Sequence, residues 1–376
     1  MDSDAPRPAP TRAAAGLPGA VIVPVAPVPP ARGLPRALRA AAYVLAASAL
    51  VWLLSTTDLG AVRTTLAAIG PLAALVLVPL GLQITLEAVS WRLLLRRLGH
   101  GVGLGTAWRV NVQAEAVRLS LPGGPPVAEA MRPMLFARLR SVALADAASA
   151  LVVRKICHLF TQGVFIGMGV LLGSVLFERW ARSLGPAGRI LPVLSGMTAL
   201  GLMAAGAFIG LMLSYGSLAV RLERLLSRVA RGRLASFLET RRASFVTLDS
   251  RLRTLLWRSP GTLSWNLVTG LGGWLLDATE TLLVLRLAGF PIGPGEALGV
   301  EALVSVMRNV AFAVPGGLGI QDFTYHTLLQ GTVSDAASMS LILLKRTRDV
   351  FWVAVGFGLP LLLDRWSAPS RCSPRA

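Results

Sequence analysis

Long apolar runs separated by short clusters of arginine make up most of the chain. An α-helix needs about 20 apolar residues to cross the hydrocarbon core of a bilayer. About six runs reach that length, and they occupy roughly residues 37–56, 70–95, 143–177, 190–215, 262–288 and 335–363. The pattern therefore predicts an all-α polytopic membrane protein with about six spanning helices.

Two further stretches, about 104–136 and 295–331, are apolar or amphipathic, but a Pro-Gly-Gly sequence breaks each of them. Lipid cannot hydrogen-bond to the backbone groups that such a break frees, so a broken helix at membrane depth must be packed within protein or line a water-filled cavity. We therefore predict two re-entrant hairpins. The breaks contain Pro122, Gly123 and Gly124 in the first hairpin and Pro315, Gly316, Gly317 and Gly319 in the second.

The two broken stretches resemble each other, which indicates an internal duplication. In "LPGGPPVAEAMRPMLF" Glu129 follows Pro122 by seven residues, and in "VPGGLGIQDFTYHTLL" Asp322 follows Pro315 by seven. Downstream, "DAASALVVRK" matches "DAASMSLILLKR". We place the repeat halves at about 70–180 and 262–366. The span count puts them in opposite orientations in the membrane, an arrangement that points to the substrate site of transporters.

Arginine clusters set the predicted topology and domain boundaries. Residues 216–261 contain ten arginines and three acids, which is the strongest cytoplasmic signal in the chain. This loop is either an amphipathic helix on anionic lipid or a solvated topology loop. With six spans, both termini are cytoplasmic. Residues 1–33 form a disordered tail rich in Pro, Ala and Arg, residues 34–366 the transmembrane domain and residues 367–376 a short tail.

The composition argues against several other functions. The net charge of +18 does not indicate nucleic-acid binding, because the arginines lie at the ends of apolar runs in a chain that is 54% hydrophobic. Cys157, Cys372 and the three histidines lack metal-ligand spacing, and no nucleophile elbow or phosphate loop is present. We therefore expect no metal, no cofactor and no enzymatic activity.

Charged residues within predicted helices are the candidate site. The only two lysines, Lys155 and Lys345, lie in equivalent helices of the repeats, next to arginines. They could hold a phosphate within the membrane or extend to an interface at a helix end. The broken helices could likewise offer unpaired N–H groups to an anionic head group, or serve packing alone. Besides the break residues and lysines, the candidates are Glu129, Arg132, Arg154, Arg308, Asn309, Gln321, Asp322, Arg346, Arg348 and Asp349.

Several of these motifs resemble a known family. "RNVAFAVPGGLGIQDFTYHTLL" followed by "LILLKRTRD" is similar to the C-terminal signature of the flippase-like family that includes the membrane domain of lysylphosphatidylglycerol synthase, most closely its hopanoid-associated branch. Asp322 stands where the family usually has glutamate, and Val127 and Ala128 stand where it usually has Gly-Gly. The resemblance implies an integral inner-membrane protein of lipid handling without a cofactor.

Three functions remain open from the sequence. The first is a translocase that moves a polar or anionic lipid, such as a phospholipid, hopanoid or polyprenyl-linked lipid, between leaflets. The second is a non-transporting scaffold or accessory protein with a membrane biosynthetic partner in lipid or hopanoid synthesis. The third is a membrane-embedded transferase.

Overall fold

The computed structural model describes residues 59–121, 124–140, 142–183, 185–215, 242–310, 319–330 and 332–366. These residues are helical, with one isolated β-bridge and no strand among them. The predicted all-α membrane fold is thereby confirmed. The predicted first span, both tails and the leucine-rich start of the basic loop lie outside the described residues.

Twelve α-helices and one 3₁₀ segment are present in the described ranges. They are α1 (Leu59–Ile69), the 3₁₀ segment (Gly70–Val76), α2 (Leu77–Arg97), α3 (Leu104–Ser120), α4 (Gly124–Arg140), α5 (Leu144–Leu172), α6 (Ser174–Ser183), α7 (Pro186–Ser214), α8 (Arg242–Trp257), α9 (Pro260–Leu287), α10 (Pro294–Val310), α11 (Ile320–Leu329) and α12 (Asp335–Trp366).

Four described segments are long and apolar enough to cross a membrane: Gly60–Arg97, Leu144–Leu172, Gly188–Ser214 and Pro260–Leu287. They correspond to the second to fifth predicted spans, so the chain is a multi-pass membrane protein. The sixth predicted span forms α12, a helix of 32 residues. This helix has four charged groups close together, from Lys345 to Asp349, and is not among those four segments.

The third predicted span is shorter than expected, because α5 ends at Leu172 and the amphipathic helix α6 follows Gly173. Glu178 and Arg179 are exposed on α6, whereas Trp180 is buried and donates a hydrogen bond from Nε1 to the Leu328 carbonyl at 2.7 Å. This contact joins α6 to α11. The sequence changes from apolar to amphipathic after Leu172, so the spanning helix ends earlier than the predicted residue 177.

Helix α5 packs against α4, α7, α8, α9 and α10 and is central to the bundle. Its contact with α7 depends on a small residue at Gly163, where an added Cβ would lie 2.6 Å from the Ala199 carbonyl oxygen. Small residues allow helix backbones to approach closely where lipid provides no hydrophobic drive for association. Around α5, α2 packs on α9 and α3 packs on α12.

Each predicted hairpin corresponds to two helices that pack together, α3 with α4 and α10 with α11. Helix α4 begins at Gly124 close to the end of α3, where a Cβ would lie 2.7 Å from the Val117 carbonyl oxygen. Residues 311–318, which include Pro315, Gly316 and Gly317, lie outside the described residues, as do Pro122 and Gly123. Re-entry of either pair into the membrane stays a prediction.

Candidate functional site

A cavity of about 480 Å³ lies among α2, α3, α4, α5, α9, α10, α11 and α12. Ionisable groups between membrane helices are rare and usually face a substrate or ion pathway, and this cavity is rich in them. Its charged lining residues are Glu87, Glu115, Arg118, Glu129, Arg132, Arg154, Lys155, Asp277, Arg308, Arg348 and Asp349. The cavity is therefore the candidate site.

One wall of the cavity is a set of ion pairs from the first predicted repeat half. We define the N-terminal ion cluster as Glu87 of α2, Glu129 of α4, and Arg154 and Lys155 of α5. Arg154 Nη2 lies 2.8 Å from Glu87 Oε1, and Lys155 Nζ lies 2.6 Å from Glu129 Oε1. Arg132 contacts both acids, donating to Glu87 Oε2 at 3.0 Å and also to Glu129. With three cations for two acids, this wall has a positive formal charge.

The other walls also contain ion pairs. On α3, Arg118 Nε donates to Glu115 Oε2 at 2.8 Å, one helical turn away. Between α10 and α9, Arg308 Nη1 lies 3.3 Å from Asp277 Oδ2. On the cavity wall that α12 forms, Arg348 Nη2 lies 2.7 Å from Asp349 Oδ1, and Arg348 also forms an ion pair with Glu280. Cationic groups therefore surround the cavity on several sides, each already held in place by a carboxylate.

A second set of ion pairs lies in the other predicted repeat half. We define the C-terminal ion cluster as Glu280 of α9, Asp322 of α11, and Lys345 and Arg346 of α12. Lys345 Nζ lies 3.7 Å from Glu280 Oε2, and Arg346 Nη2 lies 2.5 Å from Asp322 Oδ1. Within the described part of the chain, none of these four residues lines the cavity.

A third carboxylate, that of Glu301 in α10, contacts the C-terminal ion cluster. Its Oε1 accepts hydrogen bonds from Lys345 Nζ at 2.9 Å, from the Tyr325 hydroxyl at 2.6 Å and from Thr281 Oγ1. All four side chains are buried. Buried charges are retained only where they are paired and hydrogen-bonded, so this arrangement stabilises the contacts among α9, α10, α11 and α12.

The two clusters have the same pattern of contacts. In each, the first of two adjacent cations (Arg154 or Lys345) reaches an acid on the preceding long helix, and the second (Lys155 or Arg346) reaches the acid after the break. The sequence spacing agrees, because Glu129 follows Glu87 by 42 residues and Asp322 follows Glu280 by 42. The acids of the two clusters thus occupy equivalent positions.

Eight sequence-predicted site residues line the cavity: Glu129, Arg132, Arg154, Lys155, Arg308, Gln321, Arg348 and Asp349. Five others, Gly124, Gly319, Asp322, Lys345 and Arg346, are described but do not line it. Gly319 N donates to Asp322 Oδ2 at 3.0 Å, so Asp322 caps α11 as well as pairing with Arg346. The remaining six are not described by the structure. They are Pro122, Gly123, Pro315, Gly316 and Gly317, together with Asn309, of which only the backbone is described.

Sequence reasoning missed three charged residues of the cavity, namely Glu87, Glu115 and Arg118. Glu87 is an acid within the apolar run "LGLQITLEAVSW", which is itself a signal for a functional position. Glu115 and Arg118 are three apart on α3, a spacing at which helical side chains meet. On α9, Asp277 and Glu280 pair with Arg308 and Arg348, respectively.

A family model described as the lysylphosphatidylglycerol synthase TM region matches residues 39–358. The chain belongs to this family. The family expected from the Pro-Gly-Gly and Leu-Lys-Arg motifs is thereby confirmed, while its hopanoid-associated branch stays a prediction. None of the curated proteins compared with the chain matches it.

Within this family member, several buried donors at the cavity have no hydrogen-bond partner among the described residues. They are the Nε atoms of Arg132, Arg154 and Arg308 and Nε1 of Trp274. On the acceptor side, Glu129 Oε2 is likewise without a partner there. Buried polar groups generally need a partner, and unpaired donors outnumber unpaired acceptors among these lining residues.

The three histidines do not form a metal site in this structure. His100 Nε2 lies 2.7 Å from Asp146 Oδ2, His158 stacks on Trp274 with ring centres 4.9 Å apart, and His326 Nδ1 lies 3.3 Å from Ser338 Oγ. No three or more His, Cys, Asp or Glu residues of the described ranges are placed to hold a metal ion. Of the histidines, His158 alone lines the cavity.

Proposed function

We propose that this protein is a translocase that moves a polar or anionic lipid between the leaflets of the cell inner membrane. The observation that carries the proposal is the charged cavity between helices of a multi-pass membrane protein. A lipid head group cannot cross a hydrocarbon core without polar contacts, because burying an unpaired charge or polar group is strongly unfavourable. A cavity lined by paired cations and acids offers such contacts.

The composition of the walls supports an anionic or polar head group. Lys155 has a half-exposed side chain at the cavity, and lysine binds phosphate as a compact point charge. Arg132 and Arg154 present guanidinium groups, which suit oxyanions. Helix α4 begins at Gly124 beside the cavity, with Pro125 in the lining, so the positive end of its dipole contributes as well.

The repeat supports transport over simple lipid binding. The walls combine α2 to α5 of the first half with α9 to α12 of the second, and matched ion pairs occur in both. In transporters built from inverted repeats, substrate sites lie at the interface of the halves and are formed by interrupted helices. We infer the same arrangement here, with α3–α4 and α10–α11 as re-entrant hairpins and both termini in the cytoplasm.

The proposal includes no covalent chemistry and no cofactor. The carboxylates at the cavity are engaged in ion pairs with Arg118, Arg132, Arg154, Lys155, Arg308 and Arg348. Such groups bind and neutralise charge without forming or breaking a covalent bond. Membrane lipids are therefore its proposed partners.

Reconstitution of the purified protein into liposomes tests the proposal. A fluorescent phospholipid and a fluorescent polyprenyl-linked lipid are followed in parallel, with a membrane-impermeant quencher to count probe in the outer leaflet. We expect wild-type protein to move at least one probe. We expect Lys155→Met to slow it roughly tenfold, because a charge-assisted hydrogen bond contributes about 1.5–3 kcal/mol.

Arg189→Met is the matched control, since Arg189 is an exposed cation at the start of α7 and is outside the cavity lining. It should move lipid at the wild-type rate. If wild-type protein moves neither probe in vesicles where an established translocase works, the proposal fails and the scaffold interpretation takes its place. Equal rates in Lys155→Met and wild type would remove the cavity from the pathway.

A further inference from the structure

The two ion clusters differ in their access to the cavity. All four members of the N-terminal ion cluster line it, and none of the four members of the C-terminal ion cluster does so in the described structure. The difference concerns corresponding residues, because the two clusters share two cation–acid contacts and the same 42-residue spacing between their acids. Two similar ion clusters are thus present, one in the lining of the cavity and the other outside it.

Side-chain exposure differs in the same sense at three of the four pairs of positions. The side chain of Glu87 is 25% exposed and that of its counterpart Glu280 is 0% exposed. Lys155 and Glu129 are 42% and 19% exposed, whereas their counterparts Arg346 and Asp322 are 19% and 3% exposed. Arg154 and Lys345 differ little, at 8% and 6%. The C-terminal ion cluster is therefore the buried form of the same arrangement.

We propose that the C-terminal ion cluster is a second lipid head-group site, closed in this structure, which opens to the opposite side of the membrane when the N-terminal ion cluster closes. The inference rests on the proposed translocase function and extends it. The ligand is the head group that the cavity binds, with its acceptor oxygens facing Lys345 and Arg346. Each half would then serve one side of the membrane, as expected for halves of opposite orientation.

The structure also identifies a pair of residues that holds the second site closed. Tyr325 donates to Glu301 at 2.6 Å, and Glu301 in turn binds Lys345 at 2.9 Å. Counted from the proline of each break, Trp108 occupies the position of Glu301 in the first half, and Arg132 occupies the position of Tyr325. Tryptophan offers no acceptor to Arg154, the counterpart of Lys345, so the first half lacks this pair. That asymmetry explains why the two halves differ here.

Opening can be measured with single cysteines in a Cys157→Ala, Cys372→Ser background. Leu159→Cys reports on the open cavity, which Leu159 lines. Thr281→Cys reports on the closed site, because the buried Thr281 hydroxyl contacts Glu301. Ser149→Cys is the buried control, since Ser149 is fully buried in α5 and is not in the lining. A membrane-impermeant maleimide is applied to one side of the membrane at a time.

We expect Leu159→Cys to react from one side and Thr281→Cys to react, more slowly, from the other, while Ser149→Cys reacts from neither. Tyr325→Phe should raise the reaction rate at Thr281→Cys severalfold and lower that at Leu159→Cys, because it weakens only the closed form. Tyr215→Phe, at an exposed tyrosine after α7, is the matched control and should change neither rate.

Two results would overturn the proposal. One is reaction of Thr281→Cys from the same side as Leu159→Cys. The other is no reaction of Thr281→Cys from either side in vesicles in which that variant moves lipid. In the second case the translocase function would stand and only the second site would fall, because lipid movement is measured on the same vesicles.

Discussion

Lys155 Nζ lies 2.6 Å from Glu129 Oε1 and thereby joins the middle of α5 to the half-helix that follows the first Pro-Gly-Gly break. The contact connects two residues that lie 26 positions apart in the sequence. Both line the cavity, and the lysine is half exposed there while the acid also binds Arg132. A head group that enters the cavity therefore meets a cation whose position a carboxylate has already fixed.

This pair predicts that reversing the charge of one partner can be partly compensated by reversing the charge of the other. Glu129→Lys alone should abolish lipid movement, since it adds a fourth cation to Lys155, Arg132 and Arg154 and leaves Glu87 as the one acid of this wall. Adding Lys155→Glu should restore a measurable rate, because the pair is re-formed in the opposite direction. The rates come from the liposome assay. No recovery in a double variant that folds like wild type would show that the lysine itself, rather than the pair, is needed.

The buried position of Lys345 predicts a large loss of stability on its removal. Lys345→Met leaves the buried acids Glu280 and Glu301 without a cation that both contact. Breaking a buried ion pair in this way costs about 3–5 kcal/mol. Thermal unfolding in detergent should show a clear decrease in the transition temperature. Combining Lys345→Met with Glu301→Gln should be milder than Lys345→Met alone, and an additive result would contradict this account.

Close packing of α5 on α7 predicts a position-specific effect of adding one methyl group. Gly163→Ala would place Cβ 2.6 Å from the Ala199 carbonyl oxygen, so the helices must separate. Overpacking of this kind costs about 1–3 kcal/mol. Gly196→Ala in α7 is the control, since a Cβ there meets no atom within 4 Å. Gly163→Ala should lower the transition temperature and Gly196→Ala should leave it unchanged or slightly higher.

The attachment of α8 predicts a local effect on the basic loop. Asp146 at the start of α5 pairs with Arg251 of α8 at 2.8 Å and with His100 at 2.7 Å. Asp146→Asn should speed amide exchange in α8 while leaving α9 protected. The effect on global unfolding should stay below about 1 kcal/mol, because the Arg251 side chain is half exposed and water screens the pair. Equal acceleration throughout the bundle would show instead that Asp146 stabilises the whole fold.

The sequence by itself determined the class of the protein, its family and the type of its polar residues. Apolar runs of spanning length predict membrane helices because backbone groups in lipid must be satisfied within each helix, and four such helices are present in the described residues. The motifs around the breaks predicted the family. Eight candidate residues proved to share one cavity, because polar residues are unfavourable in apolar helices unless they meet one another.

Only the tertiary structure decided which charges belong together and which are open to the cavity. Lys155 and Lys345 are alike in the sequence, yet Lys155 lines a cavity and Lys345 is buried against Glu301. Glu87 and Glu115 joined the site through helix packing, which brings together residues that are distant in the chain. Burial and pairing depend on which residues are neighbours in three dimensions, and the linear pattern of apolar and charged residues does not specify those neighbours.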